Sequence, residues 1–374
     1  MSIEPDTKDW TWVLSEPCPE CGFDAPGLDL GRLPQAIRDN ATLWEVVLGT
    51  DDAAVRPQAN VWSGLEYACH VRDVHELFAQ RLEQMLTEDD ARFANWDQDV
   101  TAVERDYGSQ SPTEVAEQLV KAADRVAMAY EGVHGDQWSR RGTRSNGDAF
   151  TVDTFARYHL HDVVHHAHDV SHVTKRVTVE SYQVQAEEYA EATLQLPDSV
   201  GEAMDRFAAD LPGGLVLEIG SGPGRDAVQL EQRGLRVRRT DITPAFVRLL
   251  RQQGHEADVL DPLHDDLSDP EGPYDGIWAS ASLLHVRRED LPAVLANLAG
   301  VTRPGGRFFL ALKEGDGARF SRHGSIDGPR HFTFWREEPL TSVLREAGWR
   351  VDSVQKREGL RGDRWLQVLS VREA

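Results

Sequence analysis

Lysine is scarce in this chain: five of its 40 basic residues are lysines and the rest are arginines. With abundant alanine, glycine and aspartate, that bias points to a GC-rich bacterial genome and says nothing about mechanism. Cysteine is scarcer still. Three residues, Cys18, Cys21 and Cys69, are too few for a disulfide framework. Positive charge is also short, since 63 acids against 40 bases leave a formal charge of −23. Such an excess repels phosphate backbones and argues against nucleic acid as a partner. No stretch reaches the roughly 18 uncharged apolar residues of a membrane span. The opening Met1-Ser-Ile-Glu-Pro-Asp lacks the basic and apolar regions of a signal peptide. The expectation is a cytoplasmic protein, without nucleic-acid or membrane partners, that acts on a small molecule.

What is present divides in two. A length of 374 residues suits two domains of about 100–200 residues each. Residues 1–172 hold 31 acids against 14 bases, a net −17, so most of the excess belongs to the first half. That half reads as helices. One runs from about Leu33 to Leu48, and a second begins after Ser63, a good N-cap. A third starts with Ser111 as cap, Pro112 in the first turn and Glu114 completing a capping box. The fourth spans about Val152 to Val170. Four long helices with polar loops predict a bundle.

The fourth helix reads Tyr158-His-Leu-His161-Asp-Val-Val-His165-His166-Ala-His168. At about 100° per residue, His161 and His165 share one face, the spacing with which two imidazoles reach one metal ion. His70 on the second helix is the natural third donor. His75, His168 and His172 read as solvated helix-end residues, and Cys69 as a core residue. The Cys18-Pro-Glu-Cys21 pair leaves three readings open: half a metal site, a redox pair, or two ordinary thiols.

The stretch Val61-Trp62-Ser63-Gly-Leu-Glu66-Tyr67-Ala-Cys69-His70, followed by His161 and His165, resembles the DinB-like bundle family. The resemblance implies that His70, His161 and His165 bind a divalent metal, with zinc, nickel and iron all open. Three imidazoles leave a coordination position free, a pattern of catalytic sites. The bundle of sulfoxide synthases is a weaker match, because Ala167 stands where their HxxxHxE motif needs its acid.

In the second half the pattern changes to alternating strands and helices. An apolar strand, Leu215-Val-Leu-Glu218-Ile219, runs into Gly220-Ser221-Gly222-Pro-Gly224-Arg-Asp226. Glycines there permit a sharp turn and close ligand approach at a helix N-terminus. A second strand ends in Asp241, at the distance where such folds set an acid against a ribose. Arg225 replaces the third glycine of the dinucleotide fingerprint. The segment from Val216 to Gly224 resembles the first motif of class I S-adenosylmethionine-dependent methyltransferases. By that resemblance Glu218 fixes the loop, and Gly220, Ser221, Gly222 and Gly224 form it. Asp241 holds the ribose, Asp258 and Val259 lie at the adenine, and Ser280 ends the fourth strand. His285, after the fourth strand, is either the candidate base or a structural residue at a helix start. Phe332 and Trp335 either line an acceptor pocket or cover the sheet, and Tyr182 with Tyr189 forms a lid.

The expected fold class is α + α/β. An arm with the CxxC pair (1–29) precedes a DinB-like four-helix metal-binding bundle (30–172). A Rossmann-like methyltransferase domain with a mostly parallel seven-stranded sheet (173–374) follows. The leading function is S-adenosylmethionine-dependent methylation of a small molecule, with the bundle binding or processing a thiol or imidazole acceptor. One alternative is a metal- and thiol-dependent transferase or isomerase with methylation as a second step. Another is a bundle that serves only interaction, for which a homodimer is one form.

Overall fold

The computed structural model describes residues 10–359 and 362–373. The chain divides into two compact units, Met1–Thr174 and Lys175–Ala374.

In the first unit four long helices dominate: α1 (Leu33–Leu48), α2 (Gly64–Thr87), α3 (Pro112–Glu131) and α4 (Val152–Asp169). Their starts are set by side chains that satisfy otherwise orphaned N–H groups. The Ser63 hydroxyl accepts from the Glu66 N–H, and the Glu66 carboxylate accepts from the Ser63 N–H, a complete capping box. Ser111 accepts from the Glu114 N–H at 3.4 Å, and Pro112 opens α3. Helix α3 packs against α1 and α2, and α4 packs against the same two. Leu33, Ile37, Trp44 and Phe155 fill the core without measurable exposure. Burying a side chain of that size stabilises by about 2–3 kcal/mol. A three-stranded sheet of Ala91–Phe93, Arg141–Arg144 and Ala149–Thr151 closes one part of this unit. Strands of three or four residues leave no periodicity to read, and the sequence pattern gave no sign of them.

His75 departs from its expected place at a solvated helix end. It is buried in the bundle, where its Nδ1 lies 3.0 Å from Nε2 of His159, while His75 Nε2 and His159 Nδ1 have no hydrogen-bond partner. Burial lowers the His75 pKa to about 3, and both rings are neutral. Cys69 is fully buried as expected, and burial pushes its thiol up to about 12.

The stretch Lys175 to Val179, which reads as a linker, lies inside a helix, Ser171–Val184. Beyond it a seven-stranded sheet forms the second unit. Its strands are β1 (Leu215–Ile219), β2 (Arg236–Asp241), β3 (Ala257–Val259) and β4 (Tyr274–Ser280). They continue with β5 (Thr302–Lys313), β6 (Trp349–Glu358) and β7 (Arg364–Arg372). The spatial order is β6-β7-β5-β4-β1-β2-β3, and β7 alone runs antiparallel to both neighbours. All five residues of β1 are buried, as a central parallel strand covered on both faces requires. Phe207, Trp278 and Phe309 fill one face, with the last two rings stacked 3.9 Å apart. Leu291, Leu295, Phe308 and Trp349 fill the other. The order reverses between β1 and β4, and open α/β sheets bind ligands at such a switch point.

Candidate functional site

At the carboxyl end of β1 the chain turns through Gly220, Gly222 and Gly224, whose φ angles are +74°, +52° and +88°. A Cβ on Gly220 would lie 2.4 Å from Ser282 Cβ, and one on Gly224 would lie 2.5 Å from Leu250 Cδ2. Both positions therefore need glycine for space as well as for backbone angle. Gly224 caps the helix Arg225–Gln232. Asp241, at the end of β2, ties the turn down: one carboxylate oxygen accepts from the Gly222 N–H at 2.9 Å, the other from the Thr243 N–H at 2.7 Å.

The turn borders a cleft that opens to solvent. Glu218, Gly220, Ser221, Gly222 and Ser280 line it, together with Tyr189, Asp226 and Trp278. Glu218 is 2 % exposed and its Oε2 has no hydrogen-bond partner. Burial, reinforced by Asp226, pushes its carboxyl up to about 8. Asp226 is held in turn by the Trp278 indole N–H at 3.0 Å. Ala281, directly after β4, has φ of +57°, a strained angle of the kind found where structure serves a site. An orphaned buried carboxylate beside a glycine turn is a fit cradle for the cationic, amine-bearing end of S-adenosylmethionine.

Other expected cofactor contacts differ. Asp258 is half exposed and bonds the Arg238 side chain at 3.1 Å, and neither it nor exposed Val259 lines the cleft. His285 is buried. Its Nδ1 lies 2.6 Å from the His331 carbonyl, which can only accept, so Nδ1 carries the proton. Nε2 then accepts from the Tyr182 hydroxyl at 2.9 Å. Burial lowers the ring's pKa to about 3. With both nitrogens engaged, His285 links Tyr182 to the strand Arg330–Thr333. Phe332 and Trp335 belong to the core beneath the sheet. Tyr182 and Tyr189 pack with Phe246, and Tyr189 reaches the cleft.

In the first unit the expected trio His70, His161 and His165 is split between two clusters. His70 joins Asp162 and His166, with ligand atoms all within 4.8 Å of one another, and His161 and His165 join Cys18 and Cys21 under the same limit. The reason is helical phase. Positions 161 and 165 lie on one face of α4, and positions 162 and 166 lie about 100° round, on the face that meets α2. Asp162 Oδ1 stands 3.7 Å from Nε2 of both His70 and His166. That is too long for hydrogen bonds. It is close to the roughly 3.3–3.6 Å separating two ligands of one tetrahedral ion at about 2.0–2.2 Å. Both ring nitrogens of fully buried His70 lack hydrogen-bond partners. Burial and the neighbouring His166 lower the His70 pKa, favouring the neutral, metal-binding imidazole. His166 Nδ1 meets the Asp169 carboxylate at 2.9 Å, the outer support that metal-bound histidines usually have. These residues fit a divalent ion with an open position. Nothing in the histidine spacing marks Asp162 as a ligand, since only the packing of α4 on α2 brings it to His70.

Two family models match the chain: residues 217–310 match one described as a methyltransferase domain, and residues 35–170 one described as the DinB superfamily. The chain is a DinB-like domain fused to a class I methyltransferase domain. Among curated relatives, malonyl-acyl-carrier-protein O-methyltransferase of Serratia marcescens is 30 % identical over 155 residues, 41 % of this chain and 59 % of that one. Ubiquinone biosynthesis O-methyltransferase of Xanthomonas oryzae pv. oryzae is 28 % identical over 117 residues, 30 % of this chain and 48 % of the relative. The chain thus spans about half the length of the curated relatives it matches. Among solved structures, 1,6-didemethyltoxoflavin-N1-methyltransferase of Burkholderia thailandensis is 21 % identical, with a TM-score of 0.42. That match covers 54 % of this chain and 90 % of the other. Among the described residues no helix is long and apolar enough to cross a membrane.

Proposed function

We propose that the second unit transfers a methyl group from S-adenosylmethionine to a small molecule. The observation that carries this reading is the cleft itself. A turn of three positive-φ glycines is pinned by Asp241 and floored by Glu218, whose Oε2 has no hydrogen-bond partner. The cofactor supplies a methyl group on a positively charged sulfur, ready for in-line displacement. The chain's part is to bind, align and exclude water. Glu218 faces the cation, the Gly222 N–H is oriented by Asp241, and Tyr189 with Trp278 shields the cleft. No general base is needed for a thiolate or neutral imidazole acceptor, which agrees with a His285 whose two ring nitrogens are already engaged. The deciding experiment is incubation of the purified chain with labelled S-adenosylmethionine and cell extract, with and without added divalent metal, followed by mass spectrometry. A labelled small molecule is expected, and label found only in protein or nucleic acid would overturn the reading.

In the first unit His70, Asp162 and His166 hold a divalent metal that binds or processes the acceptor. The metal supplies a Lewis-acid position where a thiol can dock as thiolate. His70→Ala removes one of three ligands and leaves Asp162 without its partner on α2. Elemental analysis should show the loss of one metal equivalent per chain, with S-adenosylmethionine affinity unchanged. Undiminished metal in both His70→Ala and His166→Ala proteins would rule the site out.

A further inference from the structure

The cluster of Cys18, Cys21, His161 and His165 has no part in the chemistry above. We propose that it is a second metal site, a closed Cys2His2 zinc centre that pins the N-terminal segment to α4. The ligand atoms of all four residues lie within 4.8 Å of one another. Cys18 Sγ stands 3.8 Å from His165 Nδ1. For a tetrahedral ion with Zn–S of about 2.3 Å and Zn–N of about 2.0–2.1 Å, the expected separation is roughly 3.5 Å. Two sulfurs and two imidazoles in that arrangement select zinc among common divalent ions.

The surroundings agree. Cys18 is 1 % exposed, Cys21 5 % and His161 3 %, and neither thiol forms a disulfide. The Cys18 carbonyl accepts from the Gly22 N–H at 2.9 Å, and Gly22 has φ of +70°. The loop therefore doubles back so that both thiols face one side, a turn glycine makes without strain. Glu20, between the cysteines, places a carboxylate oxygen 3.5 Å from His165 Nε2. It thereby supports the ring nitrogen opposite the one that faces Cys18. His161 Nε2 is buried with no hydrogen-bond partner. The Trp10 ring lies 4.7 Å from His165 and 5.6 Å from His161, and Phe23 lies 6.0 Å from His161, so aromatic rings shelter the cluster from water.

Binding balances simply. Two thiols release two protons to solvent, two neutral imidazoles lose none, and the Zn²⁺ with two thiolates carries no net charge. A neutral centre suits a buried position. Four protein ligands leave no open coordination position, so this site serves structure, whereas the three-ligand site beside it keeps one open.

Cobalt-reconstituted full-length protein should show thiolate-to-cobalt charge-transfer absorption. Cys18→Ser/Cys21→Ser should abolish that absorption and lower zinc by one equivalent per chain, whereas His70→Ala should keep the absorption. Because the double variant can misfold, a second measurement uses the unaltered chain. Titration with an organomercurial, under reducing conditions and with a chromophoric chelator present, should release one equivalent of zinc as two thiols react. Cobalt protein lacking the charge-transfer band would overturn the proposal. So would thiols that titrate without releasing zinc, or a Cys18–Cys21 disulfide in protein purified under air.

Discussion

Asp241→Ala should weaken S-adenosylmethionine binding at least a hundredfold in calorimetry. The carboxylate holds two backbone N–H groups, at 2.9 Å from Gly222 and 2.7 Å from Thr243. Hydrogen bonds to a charged group contribute about 1.5–3 kcal/mol each. Losing both removes roughly 3–6 kcal/mol that fixes the turn in its binding shape, before any contact with the ribose is counted. Asp241→Asn keeps the size and one acceptor oxygen, so it should fall between wild type and alanine. The thermal shift produced by the cofactor should vanish in Asp241→Ala. An alanine variant with wild-type affinity would mean the cofactor does not bind at this turn.

A second large effect concerns pH and Glu218. Its folded pKa is pushed up to about 8 by burial and by Asp226, with Ser221 and Arg239 opposing. The unfolded chain releases that proton at the ordinary carboxyl value of 4.5. The folded state therefore binds more protons between those values. Its contribution to stability is fully present below about 4.5, drains away as pH rises, and is gone above about 8. Its size is on the order of a few kcal/mol. A positively charged cofactor prefers the ionised carboxylate, so affinity should run the other way, rising by up to about tenfold per pH unit between roughly pH 6 and 8. Glu218→Gln cannot titrate. It should flatten both profiles and bind more weakly at pH 8. An equally steep affinity profile in Glu218→Gln would place the titrating group elsewhere.

The methyl-donor cleft was legible because its chemistry is local. Glycines at 220, 222 and 224, an acid inside an apolar strand and an acid ending the next one lie within a short stretch of chain, and backbone angle alone dictates the glycines. Helix starts were legible for the same reason, since Ser63 and Ser111 act within four residues. What needed tertiary contact was not. Spacing pairs His161 with His165, and Asp162 with His166, equally well, and only the packing of α4 against α2 decides which pair meets His70. The Cys18–Cys21 pair carried a usable signal: with His161 and His165 it completes a four-ligand set, but nothing local brings residues so distant in sequence together. His285 looked like a base because it follows the fourth strand. Its basicity is set by burial and by the His331 carbonyl, neither visible in sequence order.

The proposed ligands on α4 fall at 161, 162, 165 and 166, two interleaved pairs offset by one residue. That offset makes the helix intolerant of any change in register. Inserting or deleting a single residue between Thr151, where the helix is capped, and His161 would rotate both pairs by about 100°. One donor set would then face the other's partners, and the other set would face neither. Substitutions along the outer face of α4 should accumulate freely in evolution, whereas length changes in its first two turns should not occur at all.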